Sequence, residues 1–330
     1  MRAITYSSFG PATDVLSLTE VPVPAPRPGE VTVDLAFSGV NPSDVKARAG
    51  ARPGVTKPAF DHICPHSDGA GTISAVGQGV SPDRIGERVW LWNGQWQRAM
   101  GTAAEHITLP QDQAVRLPDA VSFETGASLG IPGLTAAHVV LGGGDVTGKT
   151  LLIHGGNGNV GHLAVQLAKW AGARVITTAH PDGFDRCYAA GADAALDYAS
   201  DSLAAEIREA AQAEPIDRII DVEFGQNIAT NADVIAPNGT IAVYGSARDM
   251  TPVVPFGPLL FKAVKIDIVL IYILAQTDRA TAITQLHKAL SDQALHCPVA
   301  KVFSLSETPD AHQAVEAGQR RGAILVDAQR

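Results

Sequence analysis

The stretch Leu151–Gly161, LLIHGGNGNVG, decides how the whole chain is read. Leu151, Leu152 and Ile153 make a short apolar run of strand type. Gly155, Gly156, Gly158 and Gly161 follow, and from Val160 the residues VGHLAVQLAKW repeat at helical spacing. A strand, a glycine-rich turn and a helix together hold a dinucleotide pyrophosphate. Glycine removes the Cβ that would keep the backbone off the phosphates, and the helix presents unpaired N–H groups and a positive dipole end to the anion. The spacing of Gly155, Gly158 and Gly161 also fits an ordinary tight strand-to-helix turn. The context favours the nucleotide, because a second strand signal, Arg174–Thr178 (RVITT), comes after Gly172.

Downstream of about Asp119, strand and helix signals alternate. Strands are expected at Leu151–His154, Arg174–Thr178, Ala194–Leu196, Arg218–Val222, Thr240–Tyr244 and Lys265–Ile271. This alternation predicts a doubly wound parallel sheet of six strands, an α/β fold of Rossmann type. The first third is β-rich instead, with runs at Arg2–Tyr6, Val31–Phe37, Gly71–Val76 and Glu87–Leu91. The proline-dense Val21–Glu30 is an extended connection there. The tail from about His296 carries strand signals at Val299–Phe303 and Ala323–Val326 around the helix-like Pro309–Gly318. It has no place in the parallel sheet and is assigned to the first domain.

A chain of 330 residues suits two domains of ordinary size, and 45% hydrophobic with 18% charged residues is globular composition. The net charge of −9, with no basic block interleaved with aromatics, argues against a nucleic-acid partner. Cys64, Cys187 and Cys297 are far apart and form no C-x-x-C pair, which fits a reducing compartment. The opening MRAITYSSFG lacks a basic and apolar leader, and no apolar run is long enough to span a membrane. A cytoplasmic protein without a membrane partner is expected.

Several stretches together carry a family resemblance: SGVNPSD (Ser38–Asp44), SDGAGTISAVGQGV (Ser67–Val80), GERVW (Gly86–Trp90), GIPGLTAAH (Gly130–His138), HGGNGNVGHLAVQLAKWAGARVI (His154–Ile176) and APNGTIAVYGSA (Ala236–Ala247). In this order they resemble the zinc-independent quinone oxidoreductases of the medium-chain dehydrogenase/reductase superfamily. The resemblance implies a GroES-like β-barrel catalytic domain over 1–118 completed by 296–330, a Rossmann domain over 119–295, and a substrate cleft where the two meet. It implies hydride transfer from NADPH to a small-molecule quinone. The alternatives within reach are an alkenal or enoyl double-bond reductase and a catalytically silent NADPH-binding protein. It also implies a homodimer joined along Lys265–Ile271 (KIDIVLI), an apolar edge strand of the kind that invites pairing.

Relatives that use catalytic zinc would place its ligands at Asn41, Ser67 and near Gly130–Ile131, where this chain offers no Cys or His, and the region of their structural zinc lobe, Leu91–Thr102, holds no cysteine. No metal is expected. One rival pattern is His62, Cys64 and His66 with Asp61 and Asp68 alongside, since alternate residues of a strand share a face.

Cofactor residues are expected at Gly155, Asn157, Gly158, Asn159, Val160 and Gly161 for the pyrophosphate. Thr178, His180 and Arg186 are expected at the adenosine half, where the resemblance also implies Tyr198 and a C-terminal basic residue, Arg320 or Arg321; it implies Thr135, Tyr244, Gly245 and Ser246 at the nicotinamide half. The second strand ends in Thr177, Thr178, Ala179 and His180 without the acid that selects NAD, so NADPH is favoured. Arg186 and His180 are candidates to reach the 2′-phosphate, although Arg186 also fits a solvated helix face. The family's usual basic residue is missing from HPDGF (His180–Phe184).

Catalytic candidates are Asn41, as an amide donor to a developing oxyanion; Lys46, as a cation beside it; His66, as proton donor; and Trp96, as a stacking surface for a planar substrate. Asn41-Pro42 also fits a simple turn, and Lys46 a solvated lysine. Trp90 is expected to pack the barrel.

Overall fold

The computed structural model describes residues 1–51, 54–318 and 320–330. It divides into two compact units, Met1–Ile131 with Cys297–Arg330, and Pro132–His296. The first boundary falls after Ile131 and not at 118, because the intervening segment is bonded into the first unit. The Arg88 guanidinium lies 4.4 Å above the Phe123 ring. Ile131 N donates to the Asp68 carboxylate at 2.8 Å.

The strands of the first unit are β1 (Arg2–Thr5), β2 (Ser17–Glu20), β3 (Glu30–Val40), β4 (Asp68–Val76), β5 (Arg88–Leu91), β6 (His106–Pro110) and β7 (Ala114–Arg116). The second unit contributes β8 (Thr150–His154), β9 (Arg174–Ala179), β10 (Ala194–Asp197), β11 (Ile216–Asp221), β12 (Ile235–Val243) and β13 (Lys265–Ile268). The tail returns to the first unit with β14 (Val299–Ser304) and β15 (Ala323–Asp327).

In the first unit one sheet runs β14-β15-β3-β4-β5-β7, with β6 pairing β3 off this path on the edge that β15 also uses, and β1 and β2 form a separate hairpin. The long β3 explains this. Its C-terminal half pairs antiparallel with β15 (Val40 opposite Ile324), its N-terminal half with β6 (Val33 opposite Ile107), and β4 runs along it throughout. Val31, Val33 and Leu35 alternate inward and meet Ile73, Val89, Leu91, Ile107 and Leu109 in one core. A second core joins Ala3, Ile4 and Tyr6 to Phe303, Leu305, Ala311, Val315, Ile324 and Val326. That shared core is why the tail belongs here. β2, β6 and β7 are too short and too mixed in composition to announce themselves by periodicity.

In the second unit all six strands are parallel in the order β10-β9-β8-β11-β12-β13. The order reverses between β8 and β11, and ligands of such sheets bind at the carboxyl ends of the strands beside that switch point. Leu151, Leu152 and Ile153 are all fully buried, as expected of a strand covered on both faces. Each such side chain contributes about 2 kcal/mol of apolar burial. The last strand stops at Ile268 and does not extend to Ile271. Arg279 donates to the Ile271 carbonyl at 2.8 Å, and Ile271–Ile273 forms a single 3₁₀ turn that leaves the sheet. Among the described residues no helix is long and apolar enough to cross a membrane.

Candidate functional site

The glycine loop is built from β8 outward. Gly155 has φ +76°, and Gly155 N and Gly156 N both donate to the Thr178 carbonyl at the end of β9, at 2.9 and 3.0 Å. A Cβ on Gly156 would stand 2.1 Å from the Thr177 hydroxyl, and one on Gly161 would stand 2.1 Å from the Gly155 carbonyl. The loop therefore closes only with glycine at both. The helix Asn159–Trp170 starts at Gly158, and its first i→i−4 bond is His162 N to Gly158 O at 2.8 Å. The N–H groups of Asn159, Val160 and Gly161 precede that bond. No acidic side chain occupies this first turn, and no side chain caps it. An anion fits here by dipole and by donor count.

Beneath the loop lies a closed polar network that sequence reasoning missed. Asp221 accepts from Glu223 N and Asn227 Nδ2, each at 2.8 Å, and from Asn231 Nδ2 at 2.6 Å. With its amide nitrogen so engaged, Asn231 offers Oδ1 to His154 Nε2 at 2.9 Å, which puts the His154 proton on Nε2. His154 Nδ1 then accepts from the Thr178 hydroxyl at 3.0 Å. Asp221, Asn231, His154 and Thr178 are buried, and Asn227 is half-buried. Thr178 thus serves by holding the loop with its carbonyl. Its hydroxyl is turned into the interior, which corrects the expectation that this side chain meets the adenosine.

His180 and Tyr198 stand exposed beyond β9 and β10, with ring centroids 6.4 Å apart and planes tilted by 54°. Arg186 is only half-exposed. It shares the inward stripe of Gly183, Cys187 and Ala190, and its charge, after burial, helps push the His162 imidazole down to about 4. Two of its guanidinium nitrogens are buried, unlike the solvated face open to it in the sequence. Asn157 packs its amide over Gly183, where a Cβ would come within 2.4 Å of Nδ2. Arg321 is exposed in the first unit.

At the end of β12, Tyr244 N donates to Asp221 O at 3.0 Å, and burial followed by the Asp221 charge holds the phenol protonated well above its ordinary range. A Cβ on Gly245 would stand 2.4 Å from Val222 O. Ser246 accepts from Gly225 N at 2.8 Å and donates to Asp249 O, so its hydroxyl fastens the turn. Thr135 lies buried in the first turn of the helix Leu134–Leu141.

In the first unit, Asn41 precedes the helix Pro42–Arg48 and is held twice. Asn41 N donates to Asp44 Oδ2 and Asn41 Nδ2 to Asp68 Oδ2, both at 2.8 Å. Asp68 is fully buried, and burial raises its pKa well above the usual range against the opposing bond from Ile131 N. A Cβ on Gly130 would stand 2.1 Å from Asp68 Oδ1. The segments around 41, 68 and 131 are thus tied by a carboxylate, an amide and a backbone N–H. That set does not suit zinc, which needs several Cys, His or carboxylate donors converging. Lys46 is exposed on the same helix, and Trp96 is half-buried in the turn after β5.

His66 is not placed to donate a proton to a substrate. It is fully buried with φ +77°. The Thr102 hydroxyl donates to Asp68 O at 2.6 Å and so accepts from Ser38, whose oxygen accepts from His66 Nδ1, both at 2.8 Å. His66 Nε2 then accepts from His312 Nε2 at 2.8 Å, and the two rings stack 5.0 Å apart. Burial, then the neighbouring His312, pushes His66 well below its ordinary pKa. The rival metal pattern dissolves in the same way. His62 is exposed, Cys64 is buried with its thiol pushed up to about 12 by burial, and His66 is locked to His312. Among the described residues no group of three His, Cys, Asp or Glu could hold a metal ion.

Comparison with known proteins agrees with this architecture. Residues 27–119 match the family model described as the alcohol dehydrogenase GroES-like domain, and 159–288 the one described as zinc-binding dehydrogenase. The rat quinone oxidoreductase is 31% identical over 248 residues, 74% of this chain and 73% of its own length. The chain belongs to the quinone oxidoreductase family of medium-chain dehydrogenases/reductases. A mycobacterial family structure solved with NADPH superposes with TM-score 0.86 at 28% identity, covering 99% of each chain. A Pseudomonas syringae quinone oxidoreductase does so with TM-score 0.86 at 27%, again over 99% of each. The human synaptic vesicle membrane protein VAT-1 homolog is also 31% identical, over 76% of this chain and 62% of its own length. Within the family frame, His312 is the polar residue that sequence reading passed over, and Asp68 was noted only beside the His62, Cys64 and His66 pattern. A His on a tail helix carries no periodic signal.

Proposed function

We propose that this chain is an NADPH-dependent reductase of quinones that works without a metal. The observation that carries the reading is the uncapped, acid-free first helical turn at Asn159, Val160 and Gly161, closed behind by glycines that tolerate no Cβ. NADPH supplies the hydride. The loop and helix N-terminus bind its pyrophosphate, and the residues at the end of β12 line the strand edge for its nicotinamide half. Asn41 donates a hydrogen bond to the acceptor's oxygen as negative charge develops there, with Asp68 and Asp44 fixing the amide in place. Ionising an alcohol at neutral pH ordinarily relies on a Lewis acid, and a single carboxylate already bonded to an amide and a backbone N–H does not make a zinc site. Reduction of an already electrophilic acceptor needs only position and a donor. An enone is the next acceptor in line, since the same hydride geometry serves it.

Following nicotinamide absorbance while NADPH meets a panel of quinones and enones tests this. Turnover of quinones is expected, unaffected by chelators. A second reading, an NADPH-binding protein without turnover, is favoured by the locked state of His66, which removes one proton donor. Tight NADPH binding with no acceptor reduced would select it.

The reading includes a homodimer across β13. This outermost strand leaves Ile268 80% exposed, and Phe261 (91%) and Ile273 (67%) stand bare nearby in sequence. An apolar edge of this kind pairs with its own copy. Light scattering at micromolar concentration is expected to give a dimer, and Ile268→Lys a monomer.

A further inference from the structure

The C-terminal tail grips the helix that Asn41 begins. The tail helix Thr308–Glu316 buries Thr308, Ala311, His312 and Val315, a stripe at helical spacing whose Ala311 and Val315 join the core shared with Ile4 and Tyr6. Glu316, one turn past His312, leaves its carboxylate 40% exposed and accepts from Nη2 of Arg48. Arg48 is the last residue of the helix Pro42–Arg48 and is 1% exposed; its Nη1 donates to the Gly10 carbonyl, and its Nε is buried without a partner. A buried guanidinium is tolerated only where partners make up for its lost hydration, and here Glu316 supplies the carboxylate. The opposite end of the same helix is held by Asn41, which bonds Asp44 and Asp68. The helix has 7 residues and spans roughly 10 Å at the α-helical rise, so it tilts as one rigid piece.

We propose that Glu316 is a positioning residue for the reaction: through Arg48 it fixes the tilt of the helix that Asn41 begins, and so aims the Asn41 amide at the acceptor's oxygen. The inference rests on the reading of Asn41 as oxyanion donor given above. With Glu316 removed, the Arg48 guanidinium is a buried cation short of its counter-charge, and it gains hydration only by moving outward with the end of the helix. That movement tips the other end, where a donor aimed at charge that develops in the transition state loses its worth over displacements well below an ångström. The glycine loop is held by bonds within the second unit, so its grip on NADPH does not depend on this contact. The His312–His66 pair on the same face of the tail helix acts elsewhere. It reaches Asp68 only at the backbone carbonyl, through Ser38 and Thr102, and leaves the carboxylate that holds Asn41 alone.

The test is a double-mutant cycle of Glu316→Ala and Asn41→Ala on the full chain, following the turnover of menadione with NADPH on samples shown folded by circular dichroism. Glu316→Ala is expected to lower kcat about tenfold while KM and the NADPH dissociation constant stay within about a factor of two, the pattern of an interaction made in the transition state. In the Asn41→Ala background the same change should cost less than about twofold, because the donor it aims is gone. Glu316→Gln keeps an acceptor for Arg48 Nη2 and should retain about half of the wild-type kcat or more. Should Glu316→Ala fail to fold, Arg48→Lys, which keeps the charge but cannot bridge Gly10 and Glu316 together, carries the same cycle with the same expected loss and the same silence behind Asn41→Ala. No loss of kcat from the clamp variant, or a loss as large behind Asn41→Ala as in the wild type, overturns the proposal and leaves Asn41 as the donor. Full turnover in Asn41→Ala alone, or none in the wild type, overturns the reading on which the inference rests and the inference with it.

Discussion

Two buried histidines use polarity in opposite ways. In the second unit His154 ends a chain that runs from Asp221 through Asn231 to Thr178, and the Thr178 carbonyl beyond it holds a loop whose neighbouring N–H groups stay open. In the first unit His66 ends a chain through Ser38 and Thr102 that terminates on Asp68 O, and His312 closes its other side. The first chain supports donors that await a ligand; the second turns its donors inward and leaves only His312 Nδ1 without a partner, buried away from any ligand. A buried polar residue thus marks function only when its network leaves something unsatisfied at an accessible end.

The contrast breaks most sharply at Gly161. Gly161→Val drives carbon into the Gly155 carbonyl, and NADPH affinity by fluorescence titration is expected to fall more than about 100-fold, since sub-ångström placement decides such sites. Intact affinity would show that the open turn is not the cofactor's. Asn41→Ala should lower quinone turnover by about 100-fold while leaving the NADPH dissociation constant within a factor of two, roughly the share of one oxyanion donor. An unchanged rate would reduce Asn41 to a helix cap.

His66→Phe leaves Ser38 without its donor and His312 without its acceptor, for a loss of about 2 kcal/mol in denaturant melts, yet the folded fraction should turn over normally. A selective loss of turnover would restore His66 as a catalytic group. Acid sharpens the same point. Burial, then Arg48, holds His312 down to about 3, and burial, then Arg186 and His296, holds His162 down to about 4. Both are neutral in the native state while the unfolded chain takes up protons below its own value near 6.5. Stability is therefore complete above that pH and is lost as pH falls toward about 4 and then 3. Melting temperatures across this window should decline, less steeply in His162→Gln. The smallest effect is Thr178→Val, which removes one buried hydroxyl bond to His154. It should cost about 1 kcal/mol and shift NADPH affinity little, because the carbonyl that holds the loop remains.

The two units also differ in how far their sequences speak. The parallel sheet was legible because its central strand β8 is a continuous apolar run buried on both faces, and glycine spacing betrays a close backbone approach whatever surrounds it. Strand bounds were less so: β12 begins at Ile235, well before the expected Thr240, and β13 ends at Ile268, ahead of the turn whose Ile271 carbonyl Arg279 takes. In the first unit β2, β6 and β7 were missed, being three to five residues long, and β6 finds its partner on β3 across about 75 residues of chain.

By itself the sequence determined the α/β class, the six-stranded order of elements, the return of the tail and the absence of zinc-type donors at the three family positions. These follow from local periodicity, backbone sterics and side-chain chemistry, each of which is complete within a short window. Only the tertiary structure decided which polar groups are spent and which are open. His66 looked like an acid and became half of a stacked pair with a residue 246 positions away. Arg186 could have been a phosphate ligand or a solvated helix face and has buried guanidinium nitrogens, whereas His180 stands exposed. A hydrogen bond needs its partner within about 3 Å, and chain folding, which no local pattern encodes, decides who that partner is.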